Sequence, residues 1–500
     1  MIALSLAEIA AAAGGSVHAA TPPCRDASAD ASPDAPLVPE AVLVPDAVLV
    51  DGPVVTDSRA AGPGGLYVAR RGEHADGHDY VPDAARAGAV AVLGEHPVAL
   101  LPAVVVDDVQ TAFGRVARRV LDGATAARAA RGERLTVVGV TGSSGKTSTK
   151  DLLAHVLASA GETVAPVESL NGEIGVPLTV CRVGTSTRFL VAEMGARGIG
   201  HVAYLTGIAP PDIGVVLNVG RAHVGEFGGT DNIARAKGEL VEALTVDGLA
   251  VLNADDPAVL AMAARTRARV VTTGEALGAD VRAGSIVLDD AGRPTFTVHA
   301  SGGAVSVQLG LHGRHHVANA LAVVAVALEV GMPLADIAAA LATARPASRW
   351  RMEVSERADG VTVVNDAYNA NPDSMAAALH ALRAMGRPQG RAARRTWAVL
   401  GQMLELGEAA VAEHAGVGAL AAQLGVDRLL AVGPGAAAIA DGAEAAGMPP
   451  AHLARVPDAD AAYELLVRDT HPGDVVLFKS SRDAGLRWLG EKFAQREVGS

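Results

Sequence analysis

The segment GVTGSSGKTSTK, residues 139–150, brings together the residue types that can hold a phosphate chain. It follows the apolar run LTVVGV (135–140) and opens a helical pattern carried by Leu152, Leu153, Val156 and Leu157. A glycine-rich turn between strand and helix points successive N–H groups inward, and the helix N-terminus adds partial positive charge. Thr141, Gly142, Ser143, Ser144 and Gly145 would form that cradle. Lys146 can reach the β- and γ-phosphates, and Thr147 can hold Mg²⁺ through its hydroxyl. The longer form of this motif has glycine five residues before Gly145. Val140 stands there, so this is the shorter GxxGK[ST] form. The chemistry implied is phosphoryl transfer from a nucleotide such as ATP, with the reaction class still open.

Three more groups sit where such a site needs them. Glu193 closes the strand-like run FLVAE, at the end of a strand where parallel sheets bind ligands. His223 lies in the loop after the next strand, within LNVGRAHVGEFG, and Lys237 sits on a helix within ARAKGEL. Each alone reads equally as a strand-end acid, a solvated histidine or a surface charge. Lysine is scarce, however: Lys146, Lys150, Lys237, Lys479 and Lys492 are the only five among 42 basic residues. Where arginine is the default cation, a lysine marks a place that needs a compact amine. His74 and His78 have i, i+4 spacing, but Asp76-Gly77 between them reads as a loop rather than a metal-binding helix. His312, His315 and His316 lack identifiable acidic or thiol partners for a metal. Cys24 and Cys181 form neither a disulfide framework nor a zinc cluster.

Positioning these groups takes several domains, and 500 residues with 50% hydrophobic content supply them. Strand-like runs at 135–140, 189–192, 213–218, 249–252 and 269–273 alternate with helical patterns, which predicts a mostly parallel, doubly wound sheet. Residues 281–309 read as three short strands of an antiparallel addition, followed by a helix over 316–330. Strands at 361–366, 396–400, 428–432 and 474–478 predict a second, Rossmann-like α/β domain. The fold class expected is α/β in three domains, 1–132, 133–345 and 346–500. The Pro-, Ala- and Asp-rich stretch at about 19–50 reads as a flexible insertion. MIALSLAEIAAAAGG reads as an amphipathic helix closed by glycine, because Glu8 interrupts its apolar run and no basic segment precedes it. A net charge of −13 and 3% aromatic content argue against general nucleic-acid or anionic-membrane binding. No apolar run is long enough for a membrane span, and a cytoplasmic location is expected.

Taken together, these residues resemble the Mur ligase family, which joins amino acids to UDP-linked cell-wall precursors. The resemblance covers most of the chain. TGSSGKTS is similar to the family's ATP loop. Glu193 and His223 match positions that ligate Mg²⁺, with two ions expected, and Lys237 matches a lysine carried as a carbamate. GRHHVANALA (313–322) resembles the segment that reaches adenine, with Asn319 as the contact. Arg349 resembles the arginine delivered by the third domain onto the phosphates, and Asp366 a nucleotide-side acid.

Within the family, NDAYNANPDSMAAAL (365–379), SLNGEIGVPLTV (169–180) and LGQMLELG (400–407) resemble the members that add D-alanyl-D-alanine to UDP-MurNAc-tripeptide. That resemblance implies substrate contacts from Asn171, Tyr368, Asn369 and Asn371, and from Ser58 and Arg59 of TDSR (56–59) on the uracil side. It also implies a monomeric ATP-dependent ligase whose partners are UDP-MurNAc-tripeptide and D-alanyl-D-alanine. A tripeptide-forming member is the alternative, but no D-N-P-R-type motif is present. A P-loop NTPase of another class is the second alternative. The sequence departs from the family pattern at His316, Gln402, Gly172 and Ser480.

Overall fold

The computed structural model describes residues 1–20, 48–73, 75–220, 227, 229–388 and 392–496. Three α/β sheets follow one another along the chain. The first has five strands, in spatial order Ser16–His18, Ala103–Val105, Ala89–Gly94, Gly65–Val68 and Val54–Val55. Helix Val109–Ala129 follows it. Asp108 caps this helix by accepting from the Gln110 and Thr111 N–H groups, and Phe113, Val116, Ala117, Val120, Leu121 and Ala124 form its buried stripe. That i, i+3, i+4 spacing is the periodicity of a helix with one face in the core.

The central sheet has nine strands. Thr136–Thr141 lies between Phe189–Glu193 and Ile213–Val216, with Leu249–Asn253 and Arg269–Gly274 beyond the latter. All of these pair in parallel. Val138 and Val140 pack on one face, against the largely apolar helix His316–Glu329, while Val137 packs on the other. A strand buried on both faces explains the unbroken hydrophobic run. Val281–Leu288 joins in parallel, then Pro294–Ala300 and Gly303–Gln308 complete the sheet antiparallel. The expected three-strand addition is present, but its first strand continues the parallel part.

The last sheet has six strands, ordered Glu353–Glu356, Thr362–Asn365, Val475–Lys479, Thr396–Leu400, Arg428–Val432 and Leu453–Val456. Only its first pair is antiparallel. The two edge strands are absent from the sequence reading, as is Thr163–Val164 at the edge of the central sheet.

The N-terminal helix spans Leu6–Ala13, with a Ser5–Glu8 capping box and Gly14 at φ +74° ending it. The expected insertion is shorter at its far end. Leu49–Val50 pairs with Leu4–Ser5, and Val50 is completely buried. Residues 21–47 lie outside the described part. No helix among the described residues is long and apolar enough to cross a membrane.

Candidate active site

The turn after Thr136–Thr141 leads into helix Lys146–Ala158 through Gly145 at φ +82°. A Cβ at Gly145 would come within 2.6 Å of Asn319 Oδ1, so both the conformation and the close approach require glycine. Asn218, beyond strand Ile213–Val216, braces the turn: Ser144 N–H donates to its Oδ1 at 2.9 Å, and its Nδ2 donates to the Ser144 carbonyl at 3.2 Å. Lys146 folds back and donates to the Gly142 carbonyl at 2.7 Å. Burial lowers the Lys146 pKa, opposed by Glu193 and reinforced by Arg351.

Glu193 is fully buried. Its Oε1 accepts from Asn171 Nδ2 at 2.8 Å and from Thr147 Oγ1 at 3.3 Å, while its buried Oε2 has no partner among the described residues. A buried carboxylate oxygen without a donor is costly unless a cation occupies the site. Together with the Thr147 hydroxyl it provides the hard oxygen donors that Mg²⁺ takes. Lys237, on helix Thr230–Glu242, lines the same cleft and is 4% exposed. Burial pushes its pKa well below the usual lysine value, and Lys146 adds to the effect.

The opposite wall comes from the third sheet and its approach. Arg351 Nη2 donates to Ser169 Oγ at 3.0 Å and lies 3.4 Å from Thr147 Oγ1. Its guanidinium sits 4.3 Å over the Tyr368 ring. Lys479 donates to Asp366 Oδ2 at 2.6 Å and to the Asn369 carbonyl at 3.1 Å, which fixes the loop bearing Tyr368 and Asn369. The cleft so enclosed holds about 1200 Å³ and also receives Arg70 and Glu73 from the N-terminal region. A phosphate cradle, a buried carboxylate and an arginine from the opposite wall in one cleft can neutralise a transferring phosphoryl group.

Family models match most of the chain: "Mur ligase family, catalytic domain" over residues 53–130, "Mur ligase middle domain" over 140–327, and "Mur ligase, glutamate ligase domain" over 350–482. The UDP-N-acetylmuramoyl-tripeptide–D-alanyl-D-alanine ligase of Mycobacterium tuberculosis (strain ATCC 25618 / H37Rv) is 50% identical, covering 86% of this chain and 89% of that protein. The chain belongs to the Mur ligase family. The Escherichia coli (strain K12) ligase of the same name is 37% identical over 76% of this chain and 80% of its own. A crystal structure of MurF from Acinetobacter baumannii superimposes with a TM-score of 0.81 at 28% identity, covering 99% of both chains. MurF ligase from Thermotoga maritima in complex with ADP gives 0.74 at 28%, covering 89% and 97%.

Against the residues expected of a Mur ligase, the structure brings Ser143, Ser144, Gly145, Lys146, Thr147, Asn171, Glu193, Lys237, Asn319, Asp366, Tyr368, Asn369 and Asn371 to one cleft. His223 lies outside the described residues. Thr141 is behind the cleft, its hydroxyl donated to the Met194 carbonyl at 2.8 Å. Asn319 lies beside His316, Nδ2 to Nδ1 at 3.3 Å.

Arg349 is not brought in. It is half-exposed, pairs with Glu491 at 2.5 Å and stacks 4.8 Å from the Trp350 ring. Arg351, two positions on, lines the cleft. Both Asp366 oxygens are engaged within the third sheet's own region, Oδ1 accepting from Met352 N–H at 3.0 Å and Oδ2 from Lys479. Asn371 caps helix Pro372–Gly386 through a bond from Ser374 N–H at 2.9 Å, with its own amide 3.5 Å from the Ser143 carbonyl. Ser58 is buried in the turn Ser58–Ala60, and Arg59 is exposed against Asp57; neither lines the cleft. His78 Nδ1 faces Asp76 Oδ1 at 2.5 Å and its Nε2 accepts from Glu95 N–H at 3.1 Å, while His74 lies outside the described residues. Cys181 is buried, its thiol pushed up to about 12 by that burial. Sequence reasoning missed Arg351, Asn218 and the structural task of Lys479, although lysine scarcity had marked the last.

Proposed function

We propose that the chain joins D-alanyl-D-alanine to UDP-N-acetylmuramoyl-tripeptide with ATP, forming ADP, phosphate and the pentapeptide precursor of peptidoglycan. The observation that carries the reading is the convergence in one cleft of the phosphate turn, Glu193 and Arg351, with the Tyr368–Asn371 loop facing them.

A carboxylate is a poor acyl donor. Its oxygen attacks the γ-phosphorus of ATP, the bond to the β-phosphate oxygen breaks, and an acyl phosphate forms. The dipeptide amine then attacks the acyl carbon, loses a proton, and inorganic phosphate departs with the former carboxylate oxygen. Lys146 and Arg351 offset negative charge on the transferring group, and the turn's N–H groups orient it. A divalent cation held by Thr147 and Glu193 would supply further charge neutralisation. Lys237, whose pKa burial lowers, is suited to carrying a carbamate, whose oxygens would add an anionic ligand.

In this reading residues 1–132 take the UDP end, 133–345 take ATP, and 346–500 take the dipeptide and close the cleft. Closure protects the water-labile acyl phosphate. Ser58 and Arg59 belong to the uracil side, and Asn319 to the adenine. A monomeric, cytoplasmic enzyme fits substrates that are ATP and a nucleotide-linked precursor.

Phosphate release measured across nucleotides and acceptors tests this. Release should require ATP, the UDP-linked tripeptide and D-alanyl-D-alanine together. Equal release with ATP alone would identify a hydrolytic NTPase, and preference for a single amino acid would indicate another ligase.

A further inference from the structure

Lys150 and Asp151 lie on the helix of the phosphate turn, behind the cleft, and take no part in the chemistry above. Lys150 is 2% exposed. Its ammonium pairs with Asp151 Oδ1 at 2.5 Å, donates to the Pro166 carbonyl at 3.0 Å, and reaches Ser348 Oγ at 3.3 Å. Asp151 Oδ2 accepts from the Ser348 N–H at 3.0 Å. Pro166 stands three residues before Ser169, and Ser348 three residues before Arg351. One buried ion pair therefore grips both chains whose tips meet in the Arg351–Ser169 contact.

The segment held in this way is strained. Trp350 at φ +56° and Met352 at φ +49° are bulky residues in the left-handed region, one on each side of Arg351. Such a backbone persists only where its surroundings hold it. The Met352 N–H is fixed by Asp366, and the Trp350 N–H donates to Glu353 Oε2 at 3.1 Å. Upstream, the hold on Ser348 comes from Asp151, an element of the central sheet's own helix. Released there, residues 348–352 can relax and withdraw the guanidinium from Thr147.

We propose that Asp151, with Lys150 as its counter-charge, is a positioning residue for phosphoryl transfer: it clasps Ser348 to the phosphate-turn helix and so holds Arg351 over Thr147 and Ser169. The proposal rests on the functional reading given above. Misplacing one stabilising group lowers the rate without removing the binding site.

The test is a double-variant cycle on the full-length chain, using Asp151→Ala and Arg351→Ala, with kcat and KM for ATP and with hydrogen exchange over 348–352. Asp151→Ala should lower kcat about 10–100-fold with KM within about threefold, and should lose less than about threefold more once Arg351 is already alanine. Exchange at 348–352 should quicken at least about tenfold while helix Lys146–Ala158 keeps its protection. Asp151→Asn, which retains an acceptor, should recover part of the rate. If Asp151→Ala fails to fold, Lys150→Met with Asp151→Leu removes the pair without leaving a buried charge and enters the same cycle. Multiplicative losses in the double variant, or a lowered melting temperature with unchanged kcat, would overturn the proposal. A wild type that forms no product from the three substrates sinks the functional reading instead, and the exchange measurement then decides the clasp by itself.

Discussion

Arg351 holds its guanidinium 3.0 Å from Ser169 Oγ, whereas Arg349, two positions earlier, is turned outward to Glu491. In the string SRWRME both are equally plausible, because the left-handed backbone at Trp350 and Met352 that separates their directions leaves no mark on composition or spacing. The expected outcome is asymmetric. Arg351→Ala should cost about 10²–10³ in kcat, as loss of one preorganised charge does. Arg349→Ala should stay within about threefold, as for an exposed ion pair. Steady-state kinetics on the two variants checks this, and the reverse ranking would restore Arg349. Lys237 was legible for a different reason: a lysine in an arginine-rich chain stands out, and burial shifts its pKa toward the neutral amine. If it carries a carbamate, Lys237→Ala should be nearly inactive, and formate or acetate should restore part of the activity by filling the vacated oxygen position. An equally inactive variant that no short acid rescues would argue for the bare amine.

At the level of elements, the strands that surround the phosphate turn could be read directly because they are buried on both faces. Val137–Val140 and Phe189–Ala192 are apolar without interruption, and strand ends located the turn and Glu193. Glu353–Glu356 and Leu453–Val456 escaped because sheet-edge strands are half-exposed and mix polar with apolar residues. The start of helix His316–Glu329 carries a testable property. His315 and His316 lie with ring centroids 4.1 Å apart at the cleft wall. Burial lowers the His315 pKa to about 4, against an opposing pull from Asp366 and with Lys479 adding to the depression. A histidine held neutral in the fold but protonated when unfolded stabilises the fold above its unfolded pKa. That stability is lost as pH falls from about 6.5 toward about 4. Melting temperatures across this window should drop less steeply for His315→Gln than for the wild type; parallel curves would mean His315 contributes nothing to acid sensitivity.

The whole molecule is acidic, at −13, and the cleft around the phosphate turn sets Lys146, Lys479, Arg70 and Arg351 beside Glu73, Glu193 and Asp366. Basic side chains so placed can meet an anionic ligand in a molecule whose net charge would otherwise repel it. Three sheets contribute to that cleft, which is why the parts could be recognised singly while their meeting could not: the contact between Arg351 and Thr147 joins residues 204 positions apart. The central claim is that the cleft phosphorylates a carboxylate before an amine displaces the phosphate. The most direct measurement uses UDP-MurNAc-tripeptide labelled with ¹⁸O in its reacting carboxylate, together with ATP and D-alanyl-D-alanine, and follows the label into inorganic phosphate by mass spectrometry. The acyl phosphate route transfers one carboxylate oxygen into each phosphate released with pentapeptide. Phosphate that carries no substrate oxygen, or takes its new oxygen from labelled water while pentapeptide forms, would contradict it.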